Sequence, residues 1–332
     1  MRLLTRALGD EPGVEQRLLT KRGSELARRV SGDGTAVREV PWAMSLDPRA
    51  WARLVMEVRE FRPDVIHAHN SHALSLALWS RTVLARRAGP PYVVVTRRVV
   101  FPARPGSALF RADRIIAISE AVRAVLVAAG AAPGRVVLVP SGVDADEVRR
   151  AATFPLGIRA RLGLPVGTRL AVNVAALEPA KDQATLIRAA AHAHSLHPDL
   201  HWVIAGTGRL LSSLTAQVRQ LGLTDRIHFI GWTGHAEALM READVVVMSS
   251  RQEGLGTVVL DALALGKPVV ATCGGGLPEI VPAQWLVGVG DARALGHKVV
   301  EAVNHPSPFP LPSHFTAGAM ARGVLAVYRS LI

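Results

Sequence analysis

The most regular feature of the chain is an alternation between short, almost continuously apolar runs and longer amphipathic ones. In the amino-terminal half the short runs are QRLLT, DVIHAH, YVVVT, RIIAIS and RVVLVP; in the carboxy-terminal half they are LAVNVA, HWVIAG, RIHFIG, DVVVMS and PVVAT. Runs of this length, rich in Val and Ile and apolar at successive positions, are the pattern of strands covered on both faces. Helical spacing of apolar residues predicts helices over 47–61, 71–88, 119–129, 181–195, 210–221, 235–243 and 254–265. A last helix is expected over 316–332, with Met320, Val324, Leu325, Val327 and Tyr328 apolar. Strands followed by crossover helices predict the α/β class with parallel sheets. Each half holds about five such units, which implies two doubly wound domains.

The stretch 149–169 contains Pro155, Gly157, Gly163, Pro165 and Gly167 and is expected to be the inter-domain connection. The expected division is therefore 1–148 for the first domain and 149–317 for the second. A terminal helix, 318–332, is expected to pack back on the first domain.

Composition narrows the function classes. Hydrophobic residues make up 49% of the 332 positions and charged ones 20%, which excludes a disordered, collagen-like or coiled-coil chain. The single Cys273 leaves no internal disulfide and no cysteine-based zinc site, and fits a reducing cytoplasm. A net charge of +12 favours anionic partners, while 5% aromatic residues argue against a platform for single-stranded nucleic acid. No apolar run reaches the roughly 18 residues of a membrane span; the best, 73–84, is broken by Ser75, Ser80 and Arg81. The opening MRLLTRALGDEPG carries arginine and acids where a signal peptide would be apolar. A cytoplasmic protein is expected, with attachment to an anionic membrane surface at its inner face still open.

In open parallel sheets ligands sit beyond the carboxyl ends of the strands. After LAVNVA comes ALEPAKD with Lys181, and after HWVIAG comes GTG, with Gly206 and Gly208. After DVVVMS comes SRQEGLGT with Glu253, Gly254, Leu255, Gly256 and Thr257; after PVVAT comes CGGGLPE. Small residues admit a ligand to the backbone, free amides at a helix start bind phosphate, and lysine adds a point charge. Positions 253, 257 and 261 step by four, so Glu253, Thr257 and Asp261 are expected on one helix face. Two acids beside phosphate-binding amides suit a ligand that is anionic at one end and rich in hydroxyls elsewhere. The ordinary alternative is that Glu253 complements the helix dipole and Asp261 is a solvated surface acid.

The segment SRQEGLGTVVLDALALGKPVVATCGGGLPEIV resembles the donor-site signature of family 4 glycosyltransferases of the GT-B fold. IIAISEAVRAVL followed by VVLVPSGVD resembles the end of their first domain, and KDQATLIRAAA, VIAGTGRL and RIHFIGW follow in the family's order. The resemblance implies two facing Rossmann-like domains and retaining transfer of a sugar from a nucleotide diphosphate sugar, with neither metal nor cofactor. The acceptor it implies is a cell-surface glycan or a lipid-linked molecule. Carried over, Glu253 and Lys181 become the catalytic pair, Glu253 on donor-sugar hydroxyls and Lys181 on the diphosphate. Gly206, Gly208 and Gly254 to Thr257 line the donor, and Asp261 takes the ribose. His69, Arg98 and Ser119 are the acceptor-side candidates.

The chain departs from the family in four places. Asp261 stands where a glutamate is usual; Ala176 in VAAL replaces an arginine; and TRRV, with Arg97 and Arg98, stands where many members carry a histidine, so no general base is assigned. Members also open with a strand and a Gly-rich turn, whereas here Leu3, Leu4, Ala7 and Leu8 already form the buried stripe of the first helix and QRLLT matches the family's second strand. Met1 is therefore expected to be an internal start within a longer gene, or the start of a shortened, impaired protein.

Weaker signals have ordinary explanations. His67, His69 and His72 lack a carboxylate or cysteine companion, so acceptor contact or packing is favoured over a metal. Asp144 and Asp146 precede a helix and read as capping residues, and GTGRLL lacks the third glycine and the acid of a dinucleotide site. Arg97, Arg98, Arg104, Arg111 and Arg114 gather in sequence and suggest an anionic or membrane-presented acceptor. Two competing functions remain: a nucleotide-sugar epimerase of the same fold and a non-catalytic sugar-nucleotide binding protein.

Overall fold

A computed structural model of the chain describes residues 1–30, 35–42, 47–84, 89–104 and 106–332. It divides into two units, Met1–Gly142 with Thr316–Ile332, and Val143–Phe315.

The first unit contains helix α1 (Arg2–Gly9), strand β1 (Arg17–Lys21), α2 (Glu25–Val30), β2 (Ala36–Val40) and α3 (Pro48–Phe61). It continues with β3 (Val65–Ala68), α4 (Ser71–Leu84), β4 (Tyr92–Arg97), β5 (Arg114–Ala117), α5 (Glu120–Ala128) and β6 (Val136–Leu138). Strands β3, β4, β5 and β6 form one parallel sheet in that order, and β1 pairs in parallel with β2 alone. The single doubly wound sheet expected here is thus two sheets, because no described strand joins β1 to β3. The helix expected to reach residue 88 is described to Leu84; residues 85–88 lie outside the described residues.

Local chemistry sets the ends of these elements. Asp47 accepts a hydrogen bond from the Arg49 amide at 3.0 Å and Pro48 opens α3, which stops where Arg62 turns left-handed at φ 52°. The buried carboxylate of Glu57 on α3 receives Arg53 at 2.7 Å and Arg17 of β1 at 3.2 Å, with Arg38 of β2 at 3.8 Å. A carboxylate out of water is tolerated only when so paired, and this one fastens the β1–β2 pair to α3.

The carboxy-terminal helix Ala317–Arg329 belongs to this unit. Met320, Val324 and Leu325 cluster with Leu4 and Leu8 of α1 and with Val94, Ile116 and Val139 of the four-stranded sheet. Near its end the Tyr328 hydroxyl meets His67 Nδ1 at 2.6 Å, while Thr96 Oγ1 meets His67 Nε2 at 2.7 Å.

The second unit runs α6 (Ala145–Ala151), α7 (Ile158–Arg161), β7 (Arg169–Val174), α8 (Gln183–His194), β8 (Leu200–Ala205) and α9 (Leu211–Gln220). Then come β9 (Ile227–Gly231), α10 (Ala236–Glu242), β10 (Val245–Met248), α11 (Thr257–Ala264), β11 (Val269–Thr272), β12 (Leu286–Val287) and α12 (Ala292–Asn304); the terminal helix of the first unit is α13. The stretch expected to be an open connection carries α6 and α7, and the division falls before it, at Val143. Its Pro and Gly residues punctuate short helices docked on this unit: Glu242 caps the Gly157 and Ile158 amides at 2.7 Å, and Arg149 reaches the Ala264 carbonyl at 3.2 Å.

The six-stranded sheet has the order β12-β11-β10-β7-β8-β9, all neighbours parallel. From β7 the chain winds outward through β8 and β9, then returns to the other side of β7 and winds out again. The order reverses between β7 and β10, so the crevice beyond their carboxyl ends is the topological switch point.

Candidate functional site

Lys181 and Glu253 meet at that switch point. Lys181 closes a 3-10 turn, Pro179–Lys181, beyond β7; Glu253 lies in the loop beyond β10. Their side chains form an ion pair, with the Glu253 side chain 13% and the Lys181 side chain 25% exposed. Ser250 Oγ adds a hydrogen bond to Glu253 at 3.3 Å. Further bonds lock the two loops together: Ser249 Oγ to the Lys181 carbonyl at 2.9 Å, the Arg251 amide to the Ala180 carbonyl at 2.8 Å, and Arg251 Nε to Asp182 at 2.7 Å. Asp182 is a buried non-glycine residue at φ 47°, where it caps α8 by accepting from the Thr185 amide. Such backbone strain persists where surrounding structure fixes it.

The glycine-rich loops form the floor. At Gly206, φ is 144° and a Cβ would sit 1.9 Å from the Ala175 carbonyl oxygen, so only glycine fits. Gly275 is equally constrained at φ 60°, with the Glu253 carbonyl oxygen 2.1 Å from its missing Cβ. The CGGG loop therefore packs backbone on backbone against the loop that carries Glu253, and the Gly276 amide donates to the Glu253 carbonyl at 2.9 Å.

Helix α11 opens at Thr257, with Gly256 at φ 93° and no side chain capping its first amides. These are the groups that a helix amino terminus offers to an anion. The shared helix face expected for three residues holds for Thr257 and Asp261 only, because Glu253 precedes the helix and is aimed at Lys181 instead. Leu255 is buried at 1% exposure, so its side chain packs and only its backbone remains for a ligand. Burial pushes the Asp261 carboxyl up to about 7, and the nearby charge of Glu237 on α10 adds to this. It is not the solvated surface acid of the ordinary alternative.

In the first unit, the sequence cluster of arginines is split between the two ends of the sheet. Arg114 lies at the amino end of β5, and Arg97 and Arg98 lie at the carboxyl end of β4. Ser119 is fully buried and its hydroxyl accepts from the Val122 amide at 3.1 Å, capping α5. Asp144 caps α6 through the Glu147 amide at 2.9 Å. His67 has both ring nitrogens engaged by the Tyr328 and Thr96 hydroxyls; burial, helped by Arg98, pulls its pKa down to about 3. His69 stacks on it with ring centroids 4.0 Å apart.

Sequence reasoning missed Asp182, Ser250, Arg251 and Glu237 around the switch point. It also missed Trp232, 74% exposed just beyond β9, whose last residue, Gly231, accepts from the Gly206 amide at 2.8 Å. Asp182, Ser250, Arg251 and Trp232 lie in motifs already singled out, whereas Glu237, on α10, had no local signal.

Comparison with known proteins bears on both units. The model of the family described as Glycosyltransferase Family 4 matches residues 1–147, and that of Glycosyl transferases group 1 matches residues 157–319. Among curated proteins, D-inositol 3-phosphate glycosyltransferases of Mycobacterium bovis and Mycobacterium tuberculosis are 35% identical over 209 residues, 58% of this chain. The chain spans 41% of the length of those relatives. Among solved structures, a glycosyltransferase from Rickettsia africae has a TM-score of 0.79 at 17% identity, covering 99% of this chain and 93% of its own. Anabaena HepE in complex with UDP and glucose has a TM-score of 0.74 at 20% identity, covering 99% and 90%. Sucrose-phosphate synthase from Thermosynechococcus elongatus has a TM-score of 0.74 at 19% identity, covering 99% and 91%.

Proposed function

Because the chain belongs to the family 4 glycosyltransferases and has the GT-B fold, we propose that it transfers a sugar, with retention, from a nucleotide diphosphate sugar to a glycan or lipid-linked acceptor. The observation that carries this reading is the Lys181–Glu253 ion pair at the switch point, beside the uncapped amino end of α11. A donor entering there exchanges one set of partners for another: its diphosphate takes Lys181 and the α11 amides, and its sugar hydroxyls take Glu253. Asp261, four residues along the same helix face from Thr257, accepts from the ribose.

The bond between the anomeric carbon and the diphosphate oxygen breaks with its electron pair leaving on the diphosphate. The amides and Lys181 are placed for the charge that develops there, a term worth several kcal/mol in enzymes at large. The acceptor hydroxyl bonds to the same face of the anomeric carbon, and its proton passes to the departing phosphate oxygen. No side-chain base is required.

For a lipid-linked acceptor, α3 and α4, which pack together, offer a surface with exposed Met56, Trp79 and Val83. Arg53 and Arg59 flank Met56 at helical spacing, a mixture that suits an anionic lipid surface. Among the described residues no helix is long and apolar enough to cross a membrane.

The test is a thermal-shift screen of the chain against nucleotide diphosphate sugars, since a bound donor stabilises the folded state, followed by product analysis with candidate acceptors. Free nucleotide together with a glycosylated product is expected. An epimerised sugar, or binding without turnover on any acceptor, would replace this reading with one of its competitors. Co-sedimentation with anionic vesicles at low and high salt tests the surface.

A further inference from the structure

At the carboxyl end of the four-stranded sheet, Arg97, Arg98 and His69 stand without an acid among the described residues, and the last two are the least committed. The Arg98 guanidinium, just past β4, donates through Nη1 to the Ser141 hydroxyl at 3.1 Å and has no carboxylate within ion-pair distance among the described residues. Most of its donors are therefore uncommitted. Arg17 and Arg81 of this unit, by contrast, answer the acids Glu57 and Asp113. Arg97 beside Arg98 also lacks an acid but donates to the Phe101 carbonyl at 2.7 Å, whereas the more buried Arg98 guanidinium has a single hydroxyl partner and calls for a counter-ion.

His69, just past β3, supplies the second donor. Its Nδ1 is shut off from solvent and has no hydrogen-bond partner. Its Nε2 has no protein partner either and is the nitrogen open to solvent. A buried N–H without an acceptor is the rarer and costlier arrangement, so the proton belongs on Nε2. The ring is steadied by stacking on His67, which Tyr328 and Thr96 hold from both sides. Burial, with the charge of Arg98 bearing on the ring, keeps His69 neutral and its Nε2–H a donor. A planar fork of guanidinium donors and one imidazole N–H beyond adjacent strand ends match an anion with several terminal oxygens better than they match a neutral sugar.

We propose that Arg98 and His69, with Ser141 orienting the guanidinium, bind the phosphate group of a phosphorylated acceptor. The identification of the anion with the acceptor rests on the glycosyl-transfer reading; the anion site itself does not. Its source is either a soluble sugar or polyol phosphate or a phospholipid headgroup.

The experiment titrates inorganic phosphate into the full chain, read by phosphorus NMR line broadening, with UDP affinity measured on the same samples. Wild type is expected to bind phosphate, and saturating UDP should leave that binding in place. Arg98→Gln should weaken it at least about tenfold, His69→Ala several-fold, and Arg98→Lys should fall between wild type and Arg98→Gln, all with UDP affinity unchanged. Unchanged UDP affinity together with a wild-type far-ultraviolet spectrum shows that a variant is folded. Glycerol 3-phosphate displacing the phosphate assigns a soluble monoester, and phosphatidylglycerol vesicles displacing it assign a lipid source; glycerol and acetate should do neither. No binding to wild type, equal binding to Arg98→Gln, or displacement by UDP overturns the proposal. Loss of UDP binding with phosphate binding intact would instead strike the donor reading.

Discussion

Replacing Asp261 by asparagine should make the protein more stable at neutral pH and a poorer binder of its donor. The carboxyl group keeps its proton up to about pH 7 in the folded chain, against an ordinary value of 3.8. Below the lower value both folded and unfolded chains hold the proton, and the side chain costs nothing. Between the two values the unfolded chain ionises while the folded one holds its proton, so stability falls as pH rises; above the higher value the loss is complete. At about 1.4 kcal/mol per tenfold change in proton affinity, the full loss approaches about 4 kcal/mol. Asparagine has the same shape and cannot ionise, so it escapes the loss. Urea unfolding of wild type and Asp261→Asn without ligand, at about pH 5 and about pH 8, isolates the effect as a difference between two chains. The variant should gain stability over wild type between the two pH values. A stability difference that does not change with pH would refute the argument, since it would mean that Asp261 ionises as readily folded as unfolded. In the same samples nucleotide diphosphate sugar affinity should fall about tenfold, because an amide is a weaker acceptor for ribose hydroxyls than a carboxylate.

Other substitutions test other parts. Glu253→Gln and Lys181→Ala should each lower sugar transfer by about a hundredfold or more with circular dichroism unchanged; rates within a few-fold of wild type for both would remove the donor assignment. Gly275→Ala places a methyl group 2.1 Å from the Glu253 carbonyl oxygen at a backbone φ of 60°. Thermal unfolding should show a loss of about 2 kcal/mol or more, with weaker donor binding in calorimetry. Tyr328→Phe removes the hydroxyl 2.6 Å from His67 Nδ1 and should cost the first unit about 1 kcal/mol in denaturant unfolding while leaving nucleotide affinity alone.

The strands were legible because their chemistry is local. Every residue of β10 and β11 is buried, so the apolar runs DVVVMS and PVVAT announce them without ambiguity. AVREV, which forms β2, carries no strand signal because Arg38 and Glu39 leave it half polar, and only pairing with β1 makes it a strand. Periodicity starts α11 at Gly254, three residues early, because Gly256 takes a left-handed conformation that a helix cannot include. The Lys181–Glu253 contact joins residues that only the adjacency of β7 and β10 brings together, and neither segment alone encodes it. Spacing places Asp261 on one helix face with Thr257, whereas its raised pKa depends on burial and on the nearness of Glu237 on α10.

The backbone-on-backbone stacking of the CGGG loop against the Glu253 loop divides the site into two classes of position with different freedom to vary. Where a methyl group would collide with a carbonyl, as at Gly206 and Gly275, no other residue can be substituted without moving the main chain. Drift at these positions is closed to small steps. The rim is the opposite: Thr257 and Trp232 are exposed and hold up none of that framework with their bulk. On the glycosyl-transfer reading, a lineage carrying this arrangement can therefore change its donor preference by altering rim side chains one at a time while the glycine floor stays fixed. Libraries built to alter donor preference should spend their diversity on those rim positions and leave the glycines untouched.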